Sequence, residues 1–381
     1  MAWPQGPLAK SAGVRGARGS PVARSEAPPP LADRHPDHRN CAVLSVTLTA
    51  ALMTTLVTGA TGFVGSAVAR VLLARGHQLR LLARQSSDRR NLAGLDAEIV
   101  AGDLTDPASL AHAAAGCRYV VHVAADYRYW VPDPEPMLRA NVEGTRAIMR
   151  AAQASGAERI VHCSSVAALG LTTDGSPADE TTPVDPAHLI TTYKRSKYLA
   201  EQVVLALVRD ESLPAVVVNP AAPVGPRDIK PTPTGKMIRD AATGRIPAFI
   251  EWGLNVVHVD DVAEGHALAL ERGRIGERYI LGGENLDLKD LLALVADVAG
   301  RRAPTLCLRE TWVWPVALAM EGFARITGIP PFVTRDHLRT ARKKQFFSSA
   351  KATAELGYQP RPVREAIEDS VAWFRAHGSA R

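Results

Sequence analysis

Thr54-Thr55-Leu56-Val57-Thr58-Gly59-Ala60-Thr61-Gly62-Phe63-Val64-Gly65 is the stretch that decides the fold. Its first five residues are apolar or β-branched and read as a buried strand. Beyond the glycines, Val64, Val68, Val71 and Leu72 recur at the three- and four-residue spacing of a helix face. Glycines at 59, 62 and 65 let the chain turn tightly and let its backbone approach a bound group with no side chain between. A helix opening at such a turn points unpaired N–H groups at that group, and what they hold best is an anion such as a pyrophosphate. Strand, glycine turn and helix together predict a dinucleotide site, with Gly59, Thr61, Gly62, Phe63, Val64 and Gly65 at its rim. Gly76 then closes the helix where a left-handed cap is expected.

Outward from this turn, apolar runs at 54–58, 79–83, 98–101, 119–124, 160–164 and 215–219 alternate with helical stretches. Such alternation predicts βαβ units: an α/β fold with a doubly wound, Rossmann-type parallel sheet. After Pro220 the pattern becomes irregular, with a Pro-rich loop at 223–233, a strand at 255–259, a helix at 261–270, a strand at 279–281 and mostly helix from Leu286. The expected division is a nucleotide-binding domain at 53–225, partly rejoined by 255–282, and a smaller, mostly helical substrate lobe at 226–381.

Residues 1–52 stand apart. The first 40 are rich in Pro, Gly, Arg and Ala without hydrophobic period, and the apolar run 41–53 leads straight into the first strand. We read them as an extension outside the fold, with Met53 as the true start rather than an export signal. This extension holds six Lys/Arg against three acids, half of the chain's formal charge of +6. What remains is unremarkable for a globular protein, so nucleic acid is not the expected partner. Four cysteines, at 41, 117, 163 and 307, form no CxxC pair and no metal-ligand spacing, which suits free thiols in a cytoplasmic protein and gives metal chemistry no support.

Chemistry gathers at the strand ends. Asp103, with Leu104, follows the third strand, where a carboxylate can accept from an adenine amino group; the competing role of capping the next helix is open to Asp103 and Asp106 alike. Ala124 and Ala125 end the fourth strand in small residues, as a strand tip beneath a nucleotide requires. Arg84 follows the second strand where an acid would bind the ribose hydroxyls of NAD; arginine suits a 2′-phosphate, so NADP(H) is favoured and NAD(H) is the alternative. Ser164 and Ser165 put a hydroxyl at the end of the fifth strand. Tyr193 and Lys197, four apart at the start of a helix, share one face. A phenol is a poor acid or base at neutral pH until a neighbouring ammonium stabilises its phenolate.

With these residues in order, the chain resembles the extended short-chain dehydrogenase/reductase superfamily from about Met53 to its end. The shared pattern is the glycine turn, Asp103-Leu104, Asn141-Val-Glu-Gly-Thr145, a serine, Tyr-x-x-x-Lys and His258-Val-Asp-Asp-Val262. The resemblance implies Ser165, Tyr193 and Lys197 as the catalytic set. Ser165 is preferred to Ser164 because it lies five residues before Gly170. By the same resemblance Asn141 supports the lysine through water and Pro220 lies against the nicotinamide. Runs 125–130, 219–226, 253–261 and above all Asp228-Ile-Lys-Pro-Thr-Pro-Thr-Gly235 are similar to bacterial hopanoid-associated sugar epimerases, a group related to dihydroflavonol reductases. This implies hydride transfer at a secondary alcohol or ketone carbon of a sugar or lipid-linked substrate, by an epimerase or by a net NADPH-dependent reductase, in a homodimer. A non-catalytic nucleotide-binding protein fits less well, since the chain keeps both Tyr193 and Lys197. The apolar segment 312–326, broken early by Pro315, is either core of the small lobe or an outward face for a lid or a membrane surface.

Overall fold

The structure is a computed structural model that describes residues 54–128, 131–328, 331 and 333–377. The 1–52 extension, Met53 and Trp130 lie outside the described residues.

Six strands open the fold: β1 (Thr54–Thr58), β2 (Gln78–Ala83), β3 (Glu98–Ala101), β4 (Tyr119–His122), β5 (Arg159–Cys163) and β6 (Ala215–Pro220). The longer helices between them are α1 (Phe63–Ala74), α2 (Pro107–Ala114), α3 (Gly144–Ala154) and α4 (Thr192–Glu211). Alternation along each strand sorts its residues onto two faces. Val57, Val121, Val161 and Val218 point into one core, while their neighbours Leu56, Val120, Ile160 and Val217 point into the other. Both faces are buried, as a parallel sheet requires. Helix α1 stops where Gly76, at φ +82°, donates to Leu73 O and lets His77 donate to Leu72 O, the left-handed cap expected there.

The chain continues through β7 (Ala222–Val224), α5 (Pro233–Ala242), β8 (Ala248–Ile250), β9 (Gly253–His258), α6 (Val259–Arg272), β10 (Arg278–Leu281), β11 (Glu284–Asp287) and α7 (Leu288–Ala299). It ends in β12 (Leu306–Leu308), α8 (Glu310–Thr327), α9 (Arg335–Ala341), α10 (Ala350–Leu356) and α11 (Val363–Ala376). The large sheet runs β10-β6-β5-β4-β1-β2-β3, with every pairing parallel. A second sheet, β11-β9-β7, packs with α5, α7 and α11 around Val224, Ile238, Val256, Leu291 and Ile367. The strand at β9 therefore belongs to the smaller sheet, and β10 returns to the larger one.

Pro315 does not break its helix: α8 runs continuously through it. Only the bond to Thr311 O is forfeited, close to an N-terminus where the ladder is just beginning.

Candidate active site

Strand order reverses around β1, whose neighbours are β2 and β4, and the carboxyl ends of β1 and β4 frame the crevice where open α/β sheets take their ligands. Gly59 sits there at φ +76°, and a Cβ on it would lie 2.6 Å from Ala124 N at the tip of β4. A Cβ on Gly65 would lie 2.1 Å from Gly59 O, so α1 presses directly on the turn. Gly62 donates to Gly59 O at 2.9 Å and starts α1, whose first turn has no side-chain cap and no acid. Bare N–H groups facing a crevice cleared of Cβ atoms fit a nucleotide pyrophosphate. Asn91, buried after β2, braces the turn from behind by donating to Thr61 O and Gly62 O (both 3.3 Å) and to Arg227 O (3.2 Å).

At the end of β2, Arg84 is exposed and makes no side-chain hydrogen bond or ion pair among the described residues. Asp103 accepts from Thr105 N at 2.8 Å and Thr105 Oγ1 at 2.7 Å; these bonds, helped by the charge of Arg84, hold its carboxyl below the usual range. Asp106, not Asp103, caps α2, by accepting from Ala108 N. Leu104 packs against Gly144 so closely that a Cβ there would come within 2.8 Å of it.

The opposite wall is built at the ends of β5 and β6, and the two serines part here. Ser164 is buried and donates to Glu201 Oε2 at 2.6 Å. Ser165 is half-buried and accepts from Ala167 N at 3.1 Å, so its hydroxyl proton has no role in that bond. Glu201 is fully buried and also takes Asn219 Nδ2 at 2.7 Å and Arg278 at 3.1 Å. Asn219 in turn donates to Ser165 O at 3.0 Å, which locks the serine's backbone to the strand that ends in Pro220.

Helix α4 is capped by Thr191, which accepts from Lys194 N, and so Tyr193 stands in its first turn, half-buried. Lys197, one turn on, is buried and donates to Cys163 O at 2.9 Å; burial pushes its pKa down, opposed by Cys163 and Glu201. Asn141 lies in a π-helical turn, Arg139–Glu143, a distortion that recurs at functional sites. Its amide donates to Asp126 O (2.8 Å) and Ser196 Oγ (2.9 Å) and accepts from Asp126 N (2.7 Å). It therefore grips the loop after Ala124 and Ala125 and the residue beside Lys197, and makes no direct bond to the lysine.

The run 228–235 acquires a physical reading. Asp228 accepts from Thr232 N and Oγ1, both at 2.9 Å on Oδ2, and Thr232 caps α5 ahead of Pro233. A Cβ on Gly235 would fall 2.0 Å from that same oxygen. Burial pushes Asp228 up to about 6. Arg227, strained at φ +76°, is held by Asp260, and Asp261 binds Arg361 N and Nε at 2.8 and 2.9 Å. Thus the acids of His258-Val-Asp-Asp-Val262 are clasps to distant segments. Sequence reasoning missed Asn91, Asn219 and Glu201; for Glu201 a signal existed, an acid one turn beyond Lys197 on an otherwise buried helix face.

Comparison with known proteins agrees. Residues 55–282 match the model of the NAD dependent epimerase/dehydratase family. A protein of Synechocystis sp., provisionally named a dihydroflavonol 4-reductase, is 41% identical over 330 residues, 84% of this chain and 94% of its own. Sterol demethylase protein B of Methylococcus capsulatus is 36% identical over 329 residues, 86% of this chain and 99% of its own. The crystal structure of gox2253 is 62% identical, with a TM-score of 0.79 over 86% of this chain and 100% of that one. The Rossmann sheet, the glycine turn and these matches together make the chain a member of the NAD-dependent epimerase/dehydratase family, within the extended short-chain dehydrogenase/reductase superfamily.

Proposed function

We propose that the enzyme transfers hydride at a secondary alcohol or ketone carbon of a sugar or lipid-linked substrate, using NADP(H). The observation that carries this is the pairing of Tyr193 and Lys197 on one face of α4 with Ser165, the serine of the pair whose hydroxyl is not spent on Glu201. When bound, the nicotinamide supplies or accepts the hydride. Tyr193 moves the proton of the substrate oxygen, and Ser165 Oγ steadies that oxygen by donating to it. Lys197 keeps one N–H on Cys163 O and has two left for ribose hydroxyls, while its charge favours the tyrosinate. The uncapped start of α1 would hold the pyrophosphate, Asp103 the adenine amino group, Arg84 the 2′-phosphate and Pro220 the nicotinamide face.

Between net reduction and epimerisation, Arg84 favours the first. A net reductase consumes its cofactor and gains from the NADPH pool, whereas an epimerase returns the hydride to the opposite face and gains nothing from it. The reductase name of the Synechocystis relative supports reduction, and the sterol name of the Methylococcus one supports a lipid-type skeleton. The likeness of the 228–235 run to hopanoid-associated sugar epimerases supports the second reading. A cytoplasmic homodimer accompanies either, to be read from the mass in solution.

Titration with both cofactors separates them. NADPH should bind roughly tenfold or more tighter than NADH, the scale of one charge-assisted contact, and Arg84→Ala should erase most of that preference while leaving NADH unchanged. Protein isolated with NAD already bound and indifferent to Arg84→Ala would overturn the reductase reading and favour the epimerase.

A further inference from the structure

Helix α8 wears its apolar residues on the outside. Trp312, Val316, Phe323 and Ile326 form one stripe, exposed by 69, 53, 59 and 87%. Its opposite stripe, Ala317, Glu321 and Ala324, is buried, and there Glu321 takes Arg335 N at 2.7 Å and Arg335 Nε at 2.9 Å. A surface helix of a globular protein normally turns the other way, polar face out. Nine large hydrophobic side chains are exposed among the described residues, and five of them, including Leu318, belong to this one helix. The concentration marks a contact surface rather than scatter.

Charge says what covers it. Residues 301–344 hold nine Lys/Arg against three acids, an excess equal to the formal charge of the whole chain, +6. Arg309, exposed, precedes α8 and forms no ion pair among the described residues; Arg325, exposed in the last turn, lends its charge to holding the Glu321 carboxyl down. The basic helix α9 packs beside it, with the Arg339 guanidinium 5.6 Å from the Trp314 ring centre. Among the described residues no helix is long and apolar enough to cross a membrane.

We propose that α8 is a peripheral docking surface for an anionic phospholipid bilayer. The helix lies in the interface plane with Trp312, Val316, Phe323 and Ile326 among the acyl chains, and Arg309 and Arg325 reach the headgroup phosphates. A second copy of the chain is a poorer occupant, because self-pairing of this face would bring two strongly basic segments together.

The test is co-sedimentation of the full chain with phosphatidylcholine vesicles and with vesicles carrying phosphatidylglycerol. Wild type should partition at least roughly tenfold better onto the anionic vesicles, and high salt should weaken this. Trp312→Ser/Phe323→Ser/Ile326→Ser should lose most of the binding, and so should Arg309→Gln/Arg325→Gln, which keeps the stripe intact. Brominated acyl chains should quench fluorescence in the wild type, and Trp312→Phe should remove most of that quenching. Failure of wild type to bind anionic vesicles would overturn the proposal. So would wild type dimerising in solution through this face, with the triple serine variant monomeric.

Discussion

The glycine turn and the loop entering α5 are neighbours, joined through Asn91, yet different physics holds each. In the turn the constraint is steric: Gly59, Gly65 and Ala124 backbones meet where a methyl group has no room. In the loop the constraint is a partner: Arg227 keeps a left-handed backbone because Asp260 holds it, and Asp228 is buried because Thr232 satisfies it. A requirement for absence of a side chain shows in the sequence as glycine. A requirement for a partner far along the chain shows as an ordinary Arg or Asp.

Gly65→Ala should have the largest effect. Its methyl would collide with the Gly59 backbone, which cannot swing away as a flexible side chain could, so stability should fall by about 3 kcal/mol or more and nucleotide affinity with it. Thermal melts with and without NADPH would show this; an unchanged melting temperature would mean that the turn is not sterically fixed.

Acid should separate sheet from loop. Burial takes His122 down to about 3 and His266 to about 4, and drives His162, whose two ring nitrogens have no hydrogen-bond partner among the described residues, well below its ordinary value. Unfolded histidines titrate near 6.5, so below that pH the unfolded chain binds more protons and stability falls, by about 1.4 kcal/mol per pH unit for each proton. Asp228 works the other way: with its pKa raised to about 6, the folded state is the one holding the extra proton between 3.8 and 6. Three histidines outweigh one aspartate, so urea midpoints should drop from pH 6.5 toward 4. His162→Leu should flatten that slope by about one proton, and Asp228→Asn should steepen it.

The smallest effect is expected at the clasp. Asp260→Asn weakens a partly buried ion pair and should cost about 1 kcal/mol, with the loss appearing as a raised KM rather than a lowered kcat if the loop borders the substrate. A change in kcat alone would place Asp260 in the chemistry instead.

Legibility followed the same division. The strand and helix pattern, the glycine turn and the Tyr193/Lys197 pair depend on residues at most a few positions apart, and periodicity finds such features. The spacing to Gly170 favoured Ser165 over Ser164, but the physical difference between them was hidden, because it is made by Glu201, 37 residues from Ser164. Asn91 was invisible for a like reason, since its bond to Arg227 O spans 136 residues. The apolar character of α8 was legible, but an apolar segment does not say which side of its helix meets the core.

The central claim is that Tyr193 moves the substrate proton while other residues hold the nucleotide. Its most direct measurement is Tyr193→Phe, assayed for single-turnover hydride transfer and, on the same sample, for NADPH affinity. The account predicts a fall in the transfer rate of about 100-fold or more with affinity nearly intact. Near-normal transfer in this variant would contradict it.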